Sequence, residues 1–146
     1  MDELKGKRIL IVEDDISNMA VYVAVLRSSG ATVIQDFWNV NTLDLLSRHM
    51  PIDAILLDLM LRYHKDGYEV FDEIQAQPAL AGIPVIVVTA ADPEAEIPKA
   101  REKGFAGFIG KPISPVKFAE QIAACIEGKS VWYYNHGEWE EFLSAT

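Results

Sequence analysis

The stretch that decides the fold is Asp53-Ala54-Ile55-Leu56-Leu57-Asp58, a short apolar run that ends in a carboxylate. A continuous apolar run of this length is typical of a strand that is buried on both faces. Strands of that kind belong to parallel sheets covered by helices, which place their chemistry at the carboxyl ends of the strands. We therefore expect Asp58 to lie at a functional edge of a sheet.

Similar runs, rich in valine and isoleucine, recur along the chain and alternate with stretches of helical character. Five strand–helix units in alternation predict an α/β fold, a doubly wound sandwich around a parallel sheet. The predicted strands lie near residues 8–12, 31–35, 53–57, 84–88 and 105–109, and the predicted helices near 16–29, 39–49, 68–77, 94–103 and 114–127.

Proline positions affect the predicted start and regularity of the last two helices. Ser114-Pro115 predicts the start of the fifth helix, with serine as N-cap and proline at the first helical position. Pro98 lacks the amide that a helix interior needs, so we expect the fourth helix to be short or irregular, or to begin near residue 97. A glycine follows the first, fourth and fifth helices, where a left-handed cap is wanted; these are Gly30, Gly104 and Gly128.

Composition excludes several classes of protein. With 146 residues, 50% hydrophobic and 24% charged, the chain has the size and balance of one globular domain. The net charge of −9 argues against nucleic acid or an anionic membrane as a direct partner. Cys125 is the only cysteine, so no internal disulfide can form, and no apolar run approaches 18 residues. We expect a cytoplasmic protein with no signal peptide and no membrane span.

Charged and polar residues follow several of the predicted strands. Glu13 and Asp14 end the first, Asp58 the third, Thr89 the fourth and Lys111 the fifth. In a parallel sheet these groups meet at one edge, where clustered carboxylates form a hard-oxygen site suited to Mg²⁺ and completed by a phosphate. A lysine ammonium and a threonine hydroxyl can both donate to phosphoryl oxygens. The combination suits an aspartate that accepts a phosphoryl group.

Four pieces of the chain, in this order and spacing, resemble the receiver domains of bacterial two-component response regulators. The resemblance covers residues 7 to 128. It implies a flavodoxin-like (βα)5 fold whose five-stranded sheet has the order 2-1-3-4-5. The matching pieces are Ile9-Leu10-Ile11-Val12-Glu13-Asp14-Asp15, Leu56-Leu57-Asp58-Leu59-Met60, Val87-Val88-Thr89-Ala90 and Phe108-Ile109-Gly110-Lys111-Pro112.

The resemblance also implies a function and a set of roles. Asp58 would take a phosphoryl group from a histidine kinase or phosphotransfer protein, and the chain would switch its protein–protein interactions in response. It would be a switch and no enzyme in the usual sense. The implied roles are Mg²⁺ or Mn²⁺ binding by Glu13, Asp14, Asp58 and the Met60 carbonyl, phosphoryl pairing by Lys111, switching by Thr89 and Phe108, and a cis Lys111–Pro112 bond.

The chain departs from the family pattern in two loops. After Asp58, the segment 60–67 lacks the usual methionine–proline pair and is one residue longer. Before the second helix, Trp38-Asn39 replaces a polar residue and glycine; asparagine tolerates a positive φ, but an exposed tryptophan is unusual there. The sequence therefore leaves the conformation of the loop after Asp58 open.

Two other functions stay open from the sequence. A Mg²⁺-dependent phosphatase with an aspartate nucleophile uses similar residues, but it would want a second aspartate where Met60 stands. A pseudo-receiver would keep the pocket and only scaffold other proteins. For a docked phosphotransfer helix, the surplus apolar residues Ile16, Met19 and Tyr22 on the first helix would be suitable.

Residues 129–146 lie beyond the resemblance and are both aromatic and acidic. We expect residues 1–128 to form the receiver domain and 129–146 an extension without a separate effector domain. Solvated tails are poor in aromatic residues, so the extension should be ordered, packed near the fifth helix or on a second copy in a possible homodimer. Its aromatic residues are Trp132, Tyr133, Tyr134, Trp139 and Phe142.

Overall fold

The structure is a computed structural model that describes residues 2–62, 65–134 and 139–144. Five strand–helix units are followed by two more strands. The strands are β1 (Arg8–Val12), β2 (Thr32–Asp36), β3 (Ala54–Leu57), β4 (Val85–Thr89), β5 (Gly107–Gly110), β6 (Lys129–Tyr134) and β7 (Trp139–Ser144). The helices are α1 (Ile16–Ser28), α2 (Thr42–Arg48), α3 (Gly67–Gln75), α4 (Pro93–Lys103) and α5 (Phe118–Ile126).

The first five strands are parallel and lie in the order β2-β1-β3-β4-β5, which confirms the predicted fold class. The chain order reverses between β1 and β3, so the crevice of a doubly wound sheet opens at their carboxyl ends. Val12 pairs with Leu57 in the β1–β3 register. The residues that follow these two strands are therefore neighbours.

Helices cover both faces of the sheet, with α1 and α5 on one side and α2, α3 and α4 on the other. The alternation of side chains along β1 shows why its sequence is continuously apolar. Ile9 and Ile11 pack into the layer of α1 and α5, whereas Leu10 and Val12 pack into the opposite layer. Successive residues of β1 thus pack into different core layers.

The sheet does not end at β5. Strand β6 pairs in parallel with β5, and β7 pairs antiparallel with β6, so seven strands form one sheet. Val131 and Tyr133 join the core layer of α1 and α5, while Trp132 joins the layer of α3 and α4. A structured continuation of the sheet thus occupies part of the segment that sequence reasoning treated as an extension near the fifth helix.

The prediction for the start of α5 is wrong. Ser114 accepts hydrogen bonds from Lys117 N and Phe118 N, but these close a turn, and the helix begins only at Phe118. A serine–proline pair stabilises any helical turn that follows it, whether or not that turn continues directly into the helix.

The prediction that Pro98 would shorten or disrupt α4 is also wrong. Asp92 caps the helix by accepting from Glu94 N, and the helix runs without a break to Gly104, whose φ of 100° makes the left-handed cap. Pro98 lies on the exposed side of α4. Water can therefore satisfy the carbonyl that the missing amide leaves without a donor, so the proline is tolerated.

None of the helices in the described part of the chain is both long and apolar enough to cross a membrane.

Candidate functional site

Three charged side chains meet where β1, β3 and β5 end. The ammonium of Lys111 lies 2.7 Å from Asp58 Oδ2 and 2.7 Å from Glu13 Oε1. Glu13 is 2% exposed and Asp58 4% exposed, so both carboxylates are nearly removed from water. One lysine therefore links two buried acids that arrive from different strands.

The backbone around Asp58 holds its carboxylate in place. Oδ1 accepts a hydrogen bond of 3.0 Å from Met60 N, and the amide of Asp58 donates to the Val12 carbonyl at the end of β1. Gly67 at the start of α3 lies so close that a Cβ there would collide with the Asp58 carbonyl oxygen. The absence of a side chain at Gly67 lets α3 begin directly against the aspartate.

Burial and pairing have opposite effects on the charged groups. Burial raises the pKa of Glu13, and this outweighs the hydrogen bond and attraction that Lys111 provides. Burial also disfavours the charged form of Lys111, but its hydrogen bonds to Asp58 and Glu13 prevail and raise its pKa. Tyr22, a buried residue of α1, has a raised pKa because of burial and the nearby charge of Glu13. The pocket thus holds two acidic side chains, Glu13 and Asp58, that are both almost fully buried.

Asp14 is held by a residue that sequence reasoning did not select. The amide of Arg62 donates to Asp14 Oδ2 at 2.6 Å, and its guanidinium lies 3.9 Å from Asp14 Oδ1. The same guanidinium lies 3.4 Å from Asp15 Oδ2, while Asp15 Oδ1 caps α1 by accepting from Asn18 N. Residues 59–62 are thereby tied across the mouth of the acidic pocket.

Thr89 and Phe108 are both completely buried on neighbouring strands. The hydroxyl of Thr89 accepts from Ala91 N at 3.3 Å, and its carbonyl accepts from Lys111 N at 2.8 Å. Phe108 lies opposite Trp132 in the β5–β6 register, and both side chains join the same core layer. The Lys111–Pro112 bond is cis. Thr89 is thus linked through the backbone to the lysine of the site.

The loop before α2 is braced against the loop after Asp58. Asn39 has a φ of 56°, donates its amide hydrogen to Asp36 Oδ1 and bonds the Lys65 carbonyl through Nδ2. Thr42 donates to the other oxygen of Asp36 at 2.6 Å. Trp38 is 64% exposed beside this network. Asparagine therefore takes the positive φ, and tryptophan remains at the surface.

The donor set fits a hard divalent cation in chemical type, since Glu13, Asp14 and Asp58 offer carboxylate oxygens after the ends of β1 and β3. Within residues 2–62 and 65–134, however, no three such side chains already converge in a metal-binding arrangement. Their oxygens are instead engaged by the ammonium of Lys111 and by Arg62. A bound cation would have to take over part of that pairing.

The structure places most of the predicted site residues together and redefines two others. Lys111 contacts both Glu13 and Asp58, Asp14 follows Glu13 after β1 and pairs with Arg62, and Thr89 ends the neighbouring strand β4. Met19 and Tyr22, which we expected to offer an apolar docking surface with Ile16, are buried core residues, and Ile16 alone of the three is exposed. A cation four residues after Asp58 was the available signal for Arg62, although the sequence alone does not show how that loop folds.

Comparison with known proteins supports the resemblance. Residues 9–123 match the family described as response regulator receiver domain. The polar-differentiation response regulator DivK of Brucella ovis is 35% identical over 116 residues, which cover 80% of this chain and 93% of that protein. DivK of Brucella suis biovar 1 matches with the same identity and coverage.

Solved structures give the same result. A putative response regulator from Chloroflexus aurantiacus superposes with a TM-score of 0.76 at 26% identity, covering 84% of this chain and 99% of that one. The phosphorylated cyanobacterial phytochrome response regulator RcpA gives a TM-score of 0.67 at 26% identity, with coverages of 83% and 91%.

Proposed function

We propose that Asp58 is the phosphoacceptor of this chain, which belongs to the response regulator receiver family. Receiver domains act as phosphoacceptor switches in two-component signalling. The observation that carries the assignment to Asp58 is its contact with Lys111 at the carboxyl end of β3. Of the acids in the pocket, Asp58 ends a central strand, is held by a backbone amide and also pairs with a lysine.

The donor is a phosphohistidine of a histidine kinase or phosphotransfer protein. An oxygen of the Asp58 carboxylate attacks phosphorus, an O–P bond forms, and the N–P bond breaks. The imidazole nitrogen leaves with the electron pair of that bond and then takes up a proton. The ammonium of Lys111, already within 2.7 Å of Asp58, remains close enough to bind an oxygen of the transferred group.

Glu13, Asp14, Asp58 and the Met60 carbonyl would hold Mg²⁺ or Mn²⁺. Bound there, the cation supplies charge neutralisation for the phosphoryl oxygens and for the acids themselves. Glu13 and Asp58 share one lysine and are both buried, so the pocket contains more negative charge than its own lysine can balance. This excess of charge supports the assignment.

Thr89 and Phe108 transmit the phosphorylation of Asp58 to the protein surface. Phospho-Asp58 draws the Thr89 hydroxyl toward it, and the state in which Phe108 is buried gains population because it binds the phosphoryl group better. Both residues belong to strands that adjoin α4 and α5. The surface formed by α4, β5 and α5 therefore changes its affinity for a protein partner. Phe108 is already buried in this structure, which is compatible with the state that phosphorylation would favour.

The role of the chain follows from its organisation. We propose that residues 1–128 are the receiver and that β6 and β7, within the extension 129–146, add two strands to its sheet. The chain then acts in the cytoplasm by contacting proteins, either a partner or a second copy in a homodimer. The support is the continuous seven-stranded sheet, an acidic composition that disfavours nucleic acid, and the buried thiol of Cys125.

Intact mass after incubation with acetyl phosphate and Mg²⁺ tests the assignment. The wild type should gain one phosphoryl group, Asp58→Asn should gain none, and Asp44→Asn, at an exposed aspartate on α2, should behave as the wild type. Labelling of Asp58→Asn at the wild-type level would contradict the choice of Asp58. A wild type that never gains mass would indicate a pseudo-receiver, and steady hydrolysis of p-nitrophenyl phosphate would indicate a phosphatase.

A further inference from the structure

Arg62 is an exposed residue that pairs with Asp14, one of the proposed metal ligands. Asp14 is nearly buried, with its side chain 5% exposed, and Arg62 covers it with a side chain that is itself 63% exposed. Within residues 2–62 and 65–134, the hydrogen bond and the ion pair of the Asp14 side chain both come from Arg62. The carboxylate assigned above to metal binding therefore has a cation of the protein over it.

The charges of the pocket show what that cation does. Lys111 pairs with Glu13 and Asp58, while Arg62 pairs with Asp14 and Asp15. Four carboxylates and two basic side chains leave a formal charge of −2, and exchange of the Arg62 guanidinium for one divalent cation would lower that excess to −1. Because Lys111 is held deep in the pocket by two short contacts, the exposed guanidinium of Arg62 is the cation that can leave at least cost.

We propose that Arg62 is a built-in competitor of the divalent cation: its guanidinium occupies the Asp14–Asp15 side of the pocket in the metal-free protein and must withdraw when metal binds. Arg62 thus sets the metal concentration at which the pocket fills. The inference rests on the proposed function only in taking Asp14 as a metal ligand.

The backbone and the side chain of Arg62 contribute separately, and this makes the inference testable. The amide bond to Asp14 does not depend on the side chain, so Arg62→Gln keeps it and removes only the positive charge. Arg62→Lys keeps the charge. Arg48→Gln is the matched control, since Arg48 is 64% exposed and pairs with Asp44 on α2, away from the pocket.

Isothermal titration with MgCl2 gives the dissociation constant of each variant. Exposed ion pairs are weak, so removal of the Arg62 charge should tighten Mg²⁺ binding by about two- to fivefold. Arg62→Lys and Arg48→Gln should stay near the wild type. The gain should shrink when ionic strength rises from ~0.1 M to ~1 M, because salt screens exposed charges.

Thermal unfolding provides a second readout without any phosphoryl transfer. In EDTA, Arg62→Gln should melt below the wild type because its carboxylates lose a counter-charge, and saturating Mg²⁺ should remove that difference. An unchanged or weaker Mg²⁺ affinity in Arg62→Gln would overturn the inference while leaving the proposed metal site intact. Failure of both wild type and variant to bind Mg²⁺ would overturn the inference and the proposed metal site together.

Discussion

At the scale of single residues, Glu13 shows how a functional site reduces the stability of the domain that contains it. Its carboxylate is buried beside Asp58, and burial raises its pKa despite the neighbouring lysine. The folded, metal-free protein therefore favours the protonated form of Glu13 more than the unfolded chain does. Ionised Glu13 weakens the apo protein, which is reasonable for a residue whose proposed partner is a metal ion.

We predict that Glu13→Gln stabilises the metal-free protein at neutral pH, by about 2–4 °C in Tm for a change on the order of 1 kcal/mol. The stability from protonated Glu13 is fully present below pH 4.5, its ordinary pKa, and is lost as pH rises through the raised folded value. Glutamine does not titrate, so the difference between variant and wild type should open over that interval.

Thermal unfolding in EDTA from pH 4 to 8 measures this difference. Glu127→Gln, at an exposed glutamate after α5, is the control and should leave Tm unchanged. A lower Tm for Glu13→Gln at pH 7 would show that attraction to Lys111 outweighs burial. The same variant should lose most of the stabilisation that Mg²⁺ gives the wild type, because one proposed ligand is gone.

At the scale of secondary-structure elements, β5 is shaped to receive another strand. An ideal Cβ on Gly107 would lie 2.7 Å from the Val131 carbonyl oxygen and 3.0 Å from Cys125 Sγ. A Cβ on Gly110 would lie 3.0 Å from the Cβ of Tyr134. Gly107 and Gly110, the first and last residues of β5, therefore allow β6 to approach closely. The pairing with β6 explains why glycine is needed at these two positions.

We predict that Gly107→Ala lowers the free energy of unfolding by about 1–3 kcal/mol, the usual cost of overpacking a tight site. The loss arises because the clash is with backbone, which cannot rotate away. Urea unfolding gives the value. Gly82→Ala is the control: a Cβ at Gly82 would have nothing within 4 Å and the φ there is not positive, so its effect should be small. Equal stability of Gly107→Ala and wild type would contradict the close packing of β6 on β5.

At the scale of the whole molecule, β6 connects the sheet to the helices on both of its faces. Trp132 is 3% exposed, and the guanidinium of Arg101 on α4 lies 4.7 Å from the centre of its ring. Tyr133 faces the other way, with the ammonium of Lys117 5.3 Å from its ring centre. The strand therefore contributes to both core layers, and its removal would expose the flank of β5.

We predict that Trp132→Ala costs about 3–5 kcal/mol of stability, as expected when a large buried aromatic residue is removed from a core. Trp38→Ala is the matched control, because that tryptophan is mostly exposed, and it should cost far less. Guanidinium unfolding followed by circular dichroism measures both. A loss below about 1 kcal/mol for Trp132→Ala would mean that β6 is not an integral part of the fold.

Local patterns in the sequence determined the five strand–helix units, the parallel sheet and the chemistry at its edge. Continuous apolar runs such as 54–57, repeated in alternation with helical stretches, are typical of a covered parallel sheet, and such sheets bring their strand ends together. Asp58 and Lys111, 53 residues apart, were therefore expected to be neighbours, and they are in contact. Those inferences needed only the period and the polarity of the chain.

Where local signals compete with distant contacts, only the tertiary structure decided the outcome. Ser114 and Pro98 both carry genuine local preferences, but packing and exposure determined whether a helix follows or continues. Arg62 reaches Asp14 across 48 positions of sequence, and β6 reaches β5 across the whole of α5. No propensity within one segment encodes such pairs, because their energy exists only once the chain has closed the loop between them.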